Sequence, residues 1–397
     1  MSERRRVVEI LREFSIPLLA GVLTSIVWAN LDEVGYRAAI HWSPLGSFLP
    51  AGVAHAVSAH YLANEILMAF FFGIATKEIT ESCLPGGALF PLNRAVNPLL
   101  GTLGGVLGPI LVYKVMVSVL GAPEIASGWG IPTATDIALA WLVARAVFGA
   151  KHPAVSYLLL LAVADDGIGL GIIAVFYPDP THPTQPLWLG LVVLAMACAW
   201  VMKRRGVLSP LPYVVVPGVL SWAALAQAHM HPALALVPIV PFMPHAIRDE
   251  GLFVESVGPD PATDTMRRFE HAVKKPVDFG MFGFGLVNAG VAFAAIGPAT
   301  WAVLAALLVG KTLGVTTLAL VADKLGFSLP EGMTLKALVF AGLTAGLGLT
   351  VALFVAGAAF TDPTIQAAAK MGALFSVAAA PLAIVGSRLF GLRRTTN

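Results

Sequence analysis

The chain has 397 residues, 57% of them hydrophobic and only 12% charged, with a mean hydropathy of +0.81 and a formal net charge of +2. Soluble globular chains carry about 25% charged residues, so this composition excludes a water-facing surface of ordinary size. A charge of +2 is also too small to point to nucleic acid as a partner. What remains is an all-α membrane protein with the lipid bilayer as its first partner, read as one transmembrane domain over residues 1–397. At about 20 apolar residues per crossing plus short loops, the length fits roughly ten to twelve spans.

In chain order, Arg4-Arg5-Arg6 precede an apolar stretch in the manner of a signal peptide. The run 15–31 is longer than a signal core and lacks an A-x-A cleavage site, so it reads as a retained first span. Apolar stretches then fall at about 15–31, 62–80, 95–118, 127–148, 154–177, 186–202, 210–227, 230–244, 278–297, 299–322, 334–359 and 366–389. Of these predicted spans, 230–244 and 186–202 are short. Twelve is even, so both termini share one side. With the N-terminus inside, most of the 25 basic residues fall in cytoplasmic segments and Arg37 falls outside. One missing span would reverse the later loops and destroy this asymmetry. The longest hydrophilic segment, 245–276, carries Arg248, Asp249, Glu250, Glu255, Asp260, Asp264, Arg267, Arg268 and Glu270 and reads as a solvated loop with a helical end. Cys83 and Cys198 suggest neither a disulfide framework nor a metal site.

Two spans are interrupted. The fourth contains Gly128-Trp129-Gly130-Ile131-Pro132 followed by Thr133-Ala134-Thr135-Asp136; the eleventh contains 342–350, rich in glycine and ending in Thr350. Proline removes a helix donor and glycine loosens the helix. Non-helical backbone at membrane depth survives only where it faces protein or a water-filled cavity. Interrupted spans at corresponding places in two halves mark a transporter's binding site. Here they are the middle members of spans 3–5 and 10–12, so the predicted core covers about 95–177 and 299–389. For the eleventh span alone, glycines that merely permit close helix packing are an equal alternative.

Charges inside a membrane are costly and read as functional by default. Asp165 and Asp166 lie centrally in an apolar run. Adjacent helical residues point about 100° apart, so one acid can face a cavity while the other reaches a second helix. Hard cations take oxygen ligands, which carboxylates supply. Asp136, just after the first break, is either a helix N-cap or a counter-charge to helix N-termini, roles that coincide. Lys311 sits deep in the tenth span as a partner for Asp165 or as balance for helix C-termini, with snorkelling as the bland alternative. Glu78 ends the second span beside Lys77, and Glu65 begins it. His229 and His231, at the start of the eighth, read as structural although a histidine can titrate near neutrality. There is no Walker loop and no dinucleotide fingerprint, so neither ATP-driven transport nor a soluble enzyme is supported.

Taken together, several segments resemble the NhaA-type sodium/proton antiporter family of bacteria, from about Asn64 to Arg388. They are Leu67-Met68-Ala69 with Phe71-Phe72 leading to Glu78, then Gly128-Trp129 with Ile131-Pro132 and Ala134-Thr135-Asp136-Ile137-Ala138. Asp165-Asp166, Glu270-His271, Asn288-Ala289-Gly290-Val291, Gly310-Lys311 with Leu313-Gly314 and Pro330-Glu331-Gly332 complete the set. The resemblance implies twelve helices with inverted repeats (spans 3–5 and 10–12), two discontinuous helices crossing near the midplane, and electrogenic exchange of Na+ or Li+ for protons. It implies that Asp166 is the main cation ligand and proton carrier and that Asp165 is the second acid, paired with Lys311. Thr135 and Asp136 would belong to the crossing helices, with Asp136 and Lys311 compensating charge. Glu78 and Glu270 would match a cytoplasmic pH-sensing cluster, and His231 a periplasmic-side histidine. The implied setting is the bacterial inner membrane, as a homodimer, with no cofactor beyond the transported ions.

This chain also departs from that family pattern. Gly167-Ile168-Gly169 after the acids would loosen the fifth span; Leu236 stands where glycine is common; Thr80 and Glu81 replace basic residues after Glu78; and 32–60 lacks the alternation of a dimer-forming hairpin. Two other functions fit parts of the same pattern. An anion symporter could use the broken-helix N-termini, but two adjacent acids oppose it. An intramembrane aspartyl protease needs two acids sharing a proton, and Lys311 would disturb the pair.

Overall fold

Inside a bilayer the backbone must satisfy its own hydrogen bonds, and a chain this apolar meets that demand with helices. The computed structural model describes residues 16–43, 58–85, 87, 89–90, 92–179, 182–245 and 263–392. The arginines at 4–6, the loop acids and arginine at 248–260, and the centre of the 32–60 segment lie outside the described residues. Every regular element among those described is helical.

The α-helices of eight residues or more run as α1 Ile16–Leu31, α2 Glu33–Ile40, α3 Met68–Cys83, α4 Leu92–Leu120, α5 Ile137–Phe148, α6 Pro153–Phe176, α7 Leu189–Arg204 and α8 Val219–Gln227. They continue as α9 Thr265–Asn288, α10 Pro298–Ala305, α11 Lys311–Lys324, α12 Leu335–Ala345, α13 Thr350–Ala359, α14 Pro363–Phe375 and α15 Ala379–Leu389. Three π-helical turns, Leu62–Leu67, Val214–Gly218 and Ala306–Gly310, lead into α3, α8 and α11. Six helical stretches are long and apolar enough to cross a membrane, or eight if two bent pairs each count as one span. The bent pairs are Pro123–Thr133 with α5, at 64°, and α12 with α13, at 50°. They fall on the two interrupted segments of the sequence.

One expectation needs correcting. The apolar stretch 230–244 is not a helix: it forms two short 3-10 turns, Pro232–Leu234 and Val240–Phe242. Pro232, Pro238, Pro241 and Pro244 remove donors every few residues, and apolarity alone cannot sustain a helix against that. The glycines at 167 and 169 lie within α6, a continuous 24-residue helix. A Cβ on Gly169 would lie 3.7 Å from the Ala134 methyl, an ordinary contact.

The chain divides into two compact units. One contains, of the described residues, 89–172 and 291–392; the other contains 16–87 and 173–290. The chain passes between them inside α6, after Ile172.

In the first unit α4 and α11 approach almost backbone to backbone. A Cβ on Gly104 would fall on the Gly314 carbonyl oxygen, and one on Gly108 would fall on that of Gly310. Gly104 and Gly108 are four residues apart, as are Gly310 and Gly314, so each helix presents a small-xxx-small face. The buried Asn97 amide nitrogen then bonds across to the carbonyls of Ala319 (3.1 Å) and Phe327 (2.7 Å), while the Tyr157 hydroxyl donates to its oxygen at 3.1 Å.

In the second unit α1 lies against α9 by the same device. A Cβ on Gly21 would meet the Phe282 carbonyl, and one on Gly285 would stand 2.8 Å from the Leu18 carbonyl. The Tyr36 hydroxyl donates to the Leu286 carbonyl at 2.7 Å, and Asn288 bonds Asn64 at 2.8 Å. Leu236 is buried between two glycines: its methyls are 3.2 Å and 3.0 Å from where Cβ atoms on Gly73 and Gly218 would lie. Its bulk takes up space that these glycines leave.

Candidate functional site

The first unit gathers five of the residues singled out in the sequence. The 3-10 segment Pro123–Thr133 ends in extended backbone at Ala134, and Asp136 opens α5 as its N-cap, accepting from the Leu139 amide at 3.1 Å. The second break lies against the first: the Asp136 amide donates to the Leu347 carbonyl at 2.7 Å. The other Asp136 oxygen accepts from the Thr350 hydroxyl at 2.6 Å. Asp136 therefore serves both helix beginnings, α5 and α13, whose amide ends carry partial positive charge. Capping and charge compensation are one arrangement here.

Asp165 and Lys311 have no exposed side-chain surface, and the Lys311 ammonium donates to Asp165 Oδ2 at 2.6 Å. The same ammonium donates to the Thr133 carbonyl at 2.7 Å, at the end of the 3-10 segment where carbonyls lack helical partners. Both roles weighed for Lys311 are thus made by one atom. The π turn Ala306–Gly310 directly precedes Lys311, and insertions of this kind re-aim the residues that follow. The Thr135 hydroxyl lies 2.8 Å from Asp165 Oδ2 and 2.9 Å from the Ala345 carbonyl, so its single proton serves one of the two at a time.

Asp166 is also buried, at 7% exposure, but it is held differently. Asp166 Oδ1 and Asp165 Oδ1 are both shut away from solvent with no hydrogen-bond partner among the described residues. A buried carboxylate oxygen without a partner is expensive, and the commonest remedies are a proton, a water or a cation. The donor set beside the pair is all oxygen: two carboxylates, the Thr135 hydroxyl and backbone carbonyls. That chemistry suits a hard monovalent cation.

Sequence reasoning missed several participants. The Thr133, Ala345 and Leu347 carbonyls carry no side-chain signal, since any residue type could supply them. Thr350 was visible as the last residue of the glycine-rich stretch, and a hydroxyl residue opening a helix was a sign worth following. Ser376, whose hydroxyl lies 3.2 Å from both the amide and the carbonyl of Gly348, supports the second break and was not foreseen.

The second unit brings Glu78 and Glu270 together around Lys77. The Lys77 ammonium is 2.6 Å from Glu270, 2.8 Å from Glu81 and 3.2 Å from Glu78, and Glu270 also meets Lys274 at 3.3 Å. Lys77 is the hub of three carboxylates, a role its place in the sequence did not reveal. Glu81 adds the third acid. Burial pushes the Glu81 carboxyl, one position beyond the apolar stretch 62–80, from its ordinary 4.5 up to about 7 despite Lys77. Burial pushes Glu270 up as well, but Lys77 and Lys274 outweigh it and hold that carboxyl below its usual range.

The sign of the stability effect follows. The folded protein binds a proton at Glu81 more tightly than the unfolded chain does, so raising pH from about 4.5 to about 7 costs stability and changes nothing further beyond that window. Glu81→Gln is expected to flatten the decline of the thermal midpoint over that range, measured in detergent at fixed salt. Parallel profiles for variant and parent would contradict it. His231 belongs elsewhere: its Nδ1 is 3.6 Å from Glu65, whose other oxygen accepts the Ala233 amide at 3.0 Å. Glu65 thereby ties the π turn to the start of the proline-rich segment.

Comparison with known proteins now defines the class. The family described as Na+/H+ antiporter 1 matches residues 6–388, and the chain belongs to it. It is a family of membrane transporters, not enzymes. The chain is 57% identical over 390 residues to the Na+/H+ antiporter NhaA of Geobacter metallireducens, covering 98% of this chain and 99% of that one. It is 54% identical over 399 residues to NhaA of Desulfitobacterium hafniense, covering 100% and 99%. A more distant relative, NhaA of Jannaschia sp., is 42% identical over 418 residues, covering 97% and 98%.

Proposed function

We propose that the protein exchanges Na+ or Li+ for protons, with cation and proton competing for Asp166 and, secondarily, Asp165. The observation that carries this reading is the buried pair of carboxylate oxygens, Asp165 Oδ1 and Asp166 Oδ1, that the protein leaves unpartnered while committing Lys311 and Thr135 to Asp165 Oδ2. A site with two acids and one committed cation keeps a net negative charge that Na+ or protons can neutralise, and electrogenic exchange follows where Na+ displaces more than one proton. Asp136 and Lys311 stabilise the helix ends around it. The names of the relatives, each a Na+/H+ antiporter, support the choice of ions.

The whole chain then makes twelve crossings of the bacterial inner membrane, the one over 230–244 by its proline-rich 3-10 turns instead of an α-helix, with both termini cytoplasmic. Spans 3–5 and 10–12 form inverted repeats whose broken members cross near the midplane. Core spans 3–5 and 10–12 move during alternating access, in a homodimer. The bends of 64° and 50° support the crossing, and the distribution of basic residues supports the orientation. The test is proton flux in proteoliposomes with Na+, Li+, K+ and bicarbonate offered in turn. Collapse of a pH gradient by Na+ and Li+ is expected. A response to bicarbonate alone would favour the anion symporter and overturn the proposal.

A further inference from the structure

The segment that leaves α6 carries Asp179 and His182, and the turn after α8 carries His229. None of them belongs to the ion site or to the Lys77 cluster. Their ligand atoms all lie within 4.8 Å of one another. The His182 Nδ1 and Asp179 Oδ2 atoms are 3.1 Å apart, and the His182 and His229 rings stack with centroids 4.8 Å apart and planes 14° from parallel. Backbone bonds fix the frame: the Asp179 amide donates to the His229 carbonyl at 3.0 Å, and the Gln185 amide donates to that of Ala228 at 3.1 Å. His229 is the one non-glycine residue among the described set with positive φ, +56°. Such a conformation persists where surrounding structure imposes it.

From these positions we infer that Asp179, His182 and His229 form a binding site for a divalent transition-metal ion of the Zn2+ class. Two imidazoles and one carboxylate are the three-ligand set of an open, four-coordinate zinc centre, with the fourth position left to water. Imidazole selects Zn2+, Ni2+ or Cu2+ over the hard ions Na+, Mg2+ and Ca2+, so the site is chemically distinct from the aspartate pair. A tetrahedral shell at about 2.0–2.1 Å needs donors roughly 3.4 Å apart. Contraction from 4.8 Å falls within the reach of side-chain rotation, because His182 is exposed. The set escapes a sequence search because 47 positions separate His182 from His229 and no cysteine is involved. An ion held there ties the segment following α6 to the end of α8.

The test is a Co2+ titration of the full-length, detergent-solubilised chain with any polyhistidine tag removed, followed by Zn2+ displacement. Visible d–d absorption that saturates at one ion per chain is expected. His182→Ala is expected to weaken binding at least about tenfold without lowering the thermal midpoint, since the side chain is exposed, and His152→Ala is expected to leave binding unchanged. His182→Cys is expected to restore binding with an added thiolate-to-cobalt band. No stoichiometric binding by the parent, or identical titrations of parent and His182→Ala, would overturn the site.

Discussion

Asp166→Asn is expected to abolish Na+-driven proton movement in proteoliposomes while leaving the protein folded. The substitution keeps the size of the side chain and removes both the negative charge and the titratable proton. The site then loses its attraction for a cation, and a deficit of about 3 kcal/mol is already a hundredfold in affinity. It also loses the group on which proton and cation alternate. Folding is spared because Asp166 Oδ1 has no hydrogen-bond partner to lose, and a neutral amide is cheaper to bury than a carboxylate. Full exchange by the variant would sink the assignment; a lower thermal midpoint with exchange intact would make Asp166 structural.

The second large effect is on stability. Lys311→Met leaves Asp165 as a buried charge without its ammonium and the Thr133 carbonyl without a donor. Removing one partner of a buried ion pair costs about 3–5 kcal/mol, chiefly the penalty of the orphaned charge. Lys311→Met combined with Asp165→Asn removes both charges and is expected to recover most of the loss, because replacing a whole buried pair is often close to neutral. Thermal midpoints of parent, both single variants and the double variant form the cycle. Additive losses would show that the 2.6 Å contact carries no coupling. The pair reads best as a device that fixes where the two broken helices meet, since Lys311 reaches both the α6 acid and the end of the 3-10 segment.

Particular residues show what the sequence could and could not convey. Asp165, Asp166, Asp136 and Lys311 stood out because a charge in an apolar run is costly wherever it ends up pointing. The breaks were visible in Pro132 and in the glycines of 342–348, whose effect on a helix is local. Partnership across the fold was less legible. That Asp136 would cap two helices needed the Leu347 carbonyl and the Thr350 hydroxyl, some 210 residues away and unmarked by type. Lys77 looked like a span-end charge, yet three glutamates surround it because α9 begins at Thr265, earlier than hydropathy suggests, and carries Glu270 to α3. In the stretch 230–244 most apolar residues are buried as their hydropathy implies, while four prolines keep the backbone from forming an α-helix. Hydropathy reports burial; it does not report how the backbone gets there.

One site shared by H+ and Na+ is the centre of the proposed exchange. The most direct measurement is Na+ binding to the purified protein in weakly buffered detergent solution, with protons followed as Na+ is added, repeated across pH. Shared occupancy predicts that each bound Na+ releases at least one proton at acidic pH, more than one where exchange is electrogenic, and that apparent affinity falls at least tenfold for each pH unit of acidification below the site's ionisation. It also predicts that Asp166→Asn abolishes both the binding and the release. A Na+ affinity independent of pH, with no proton released, would contradict it.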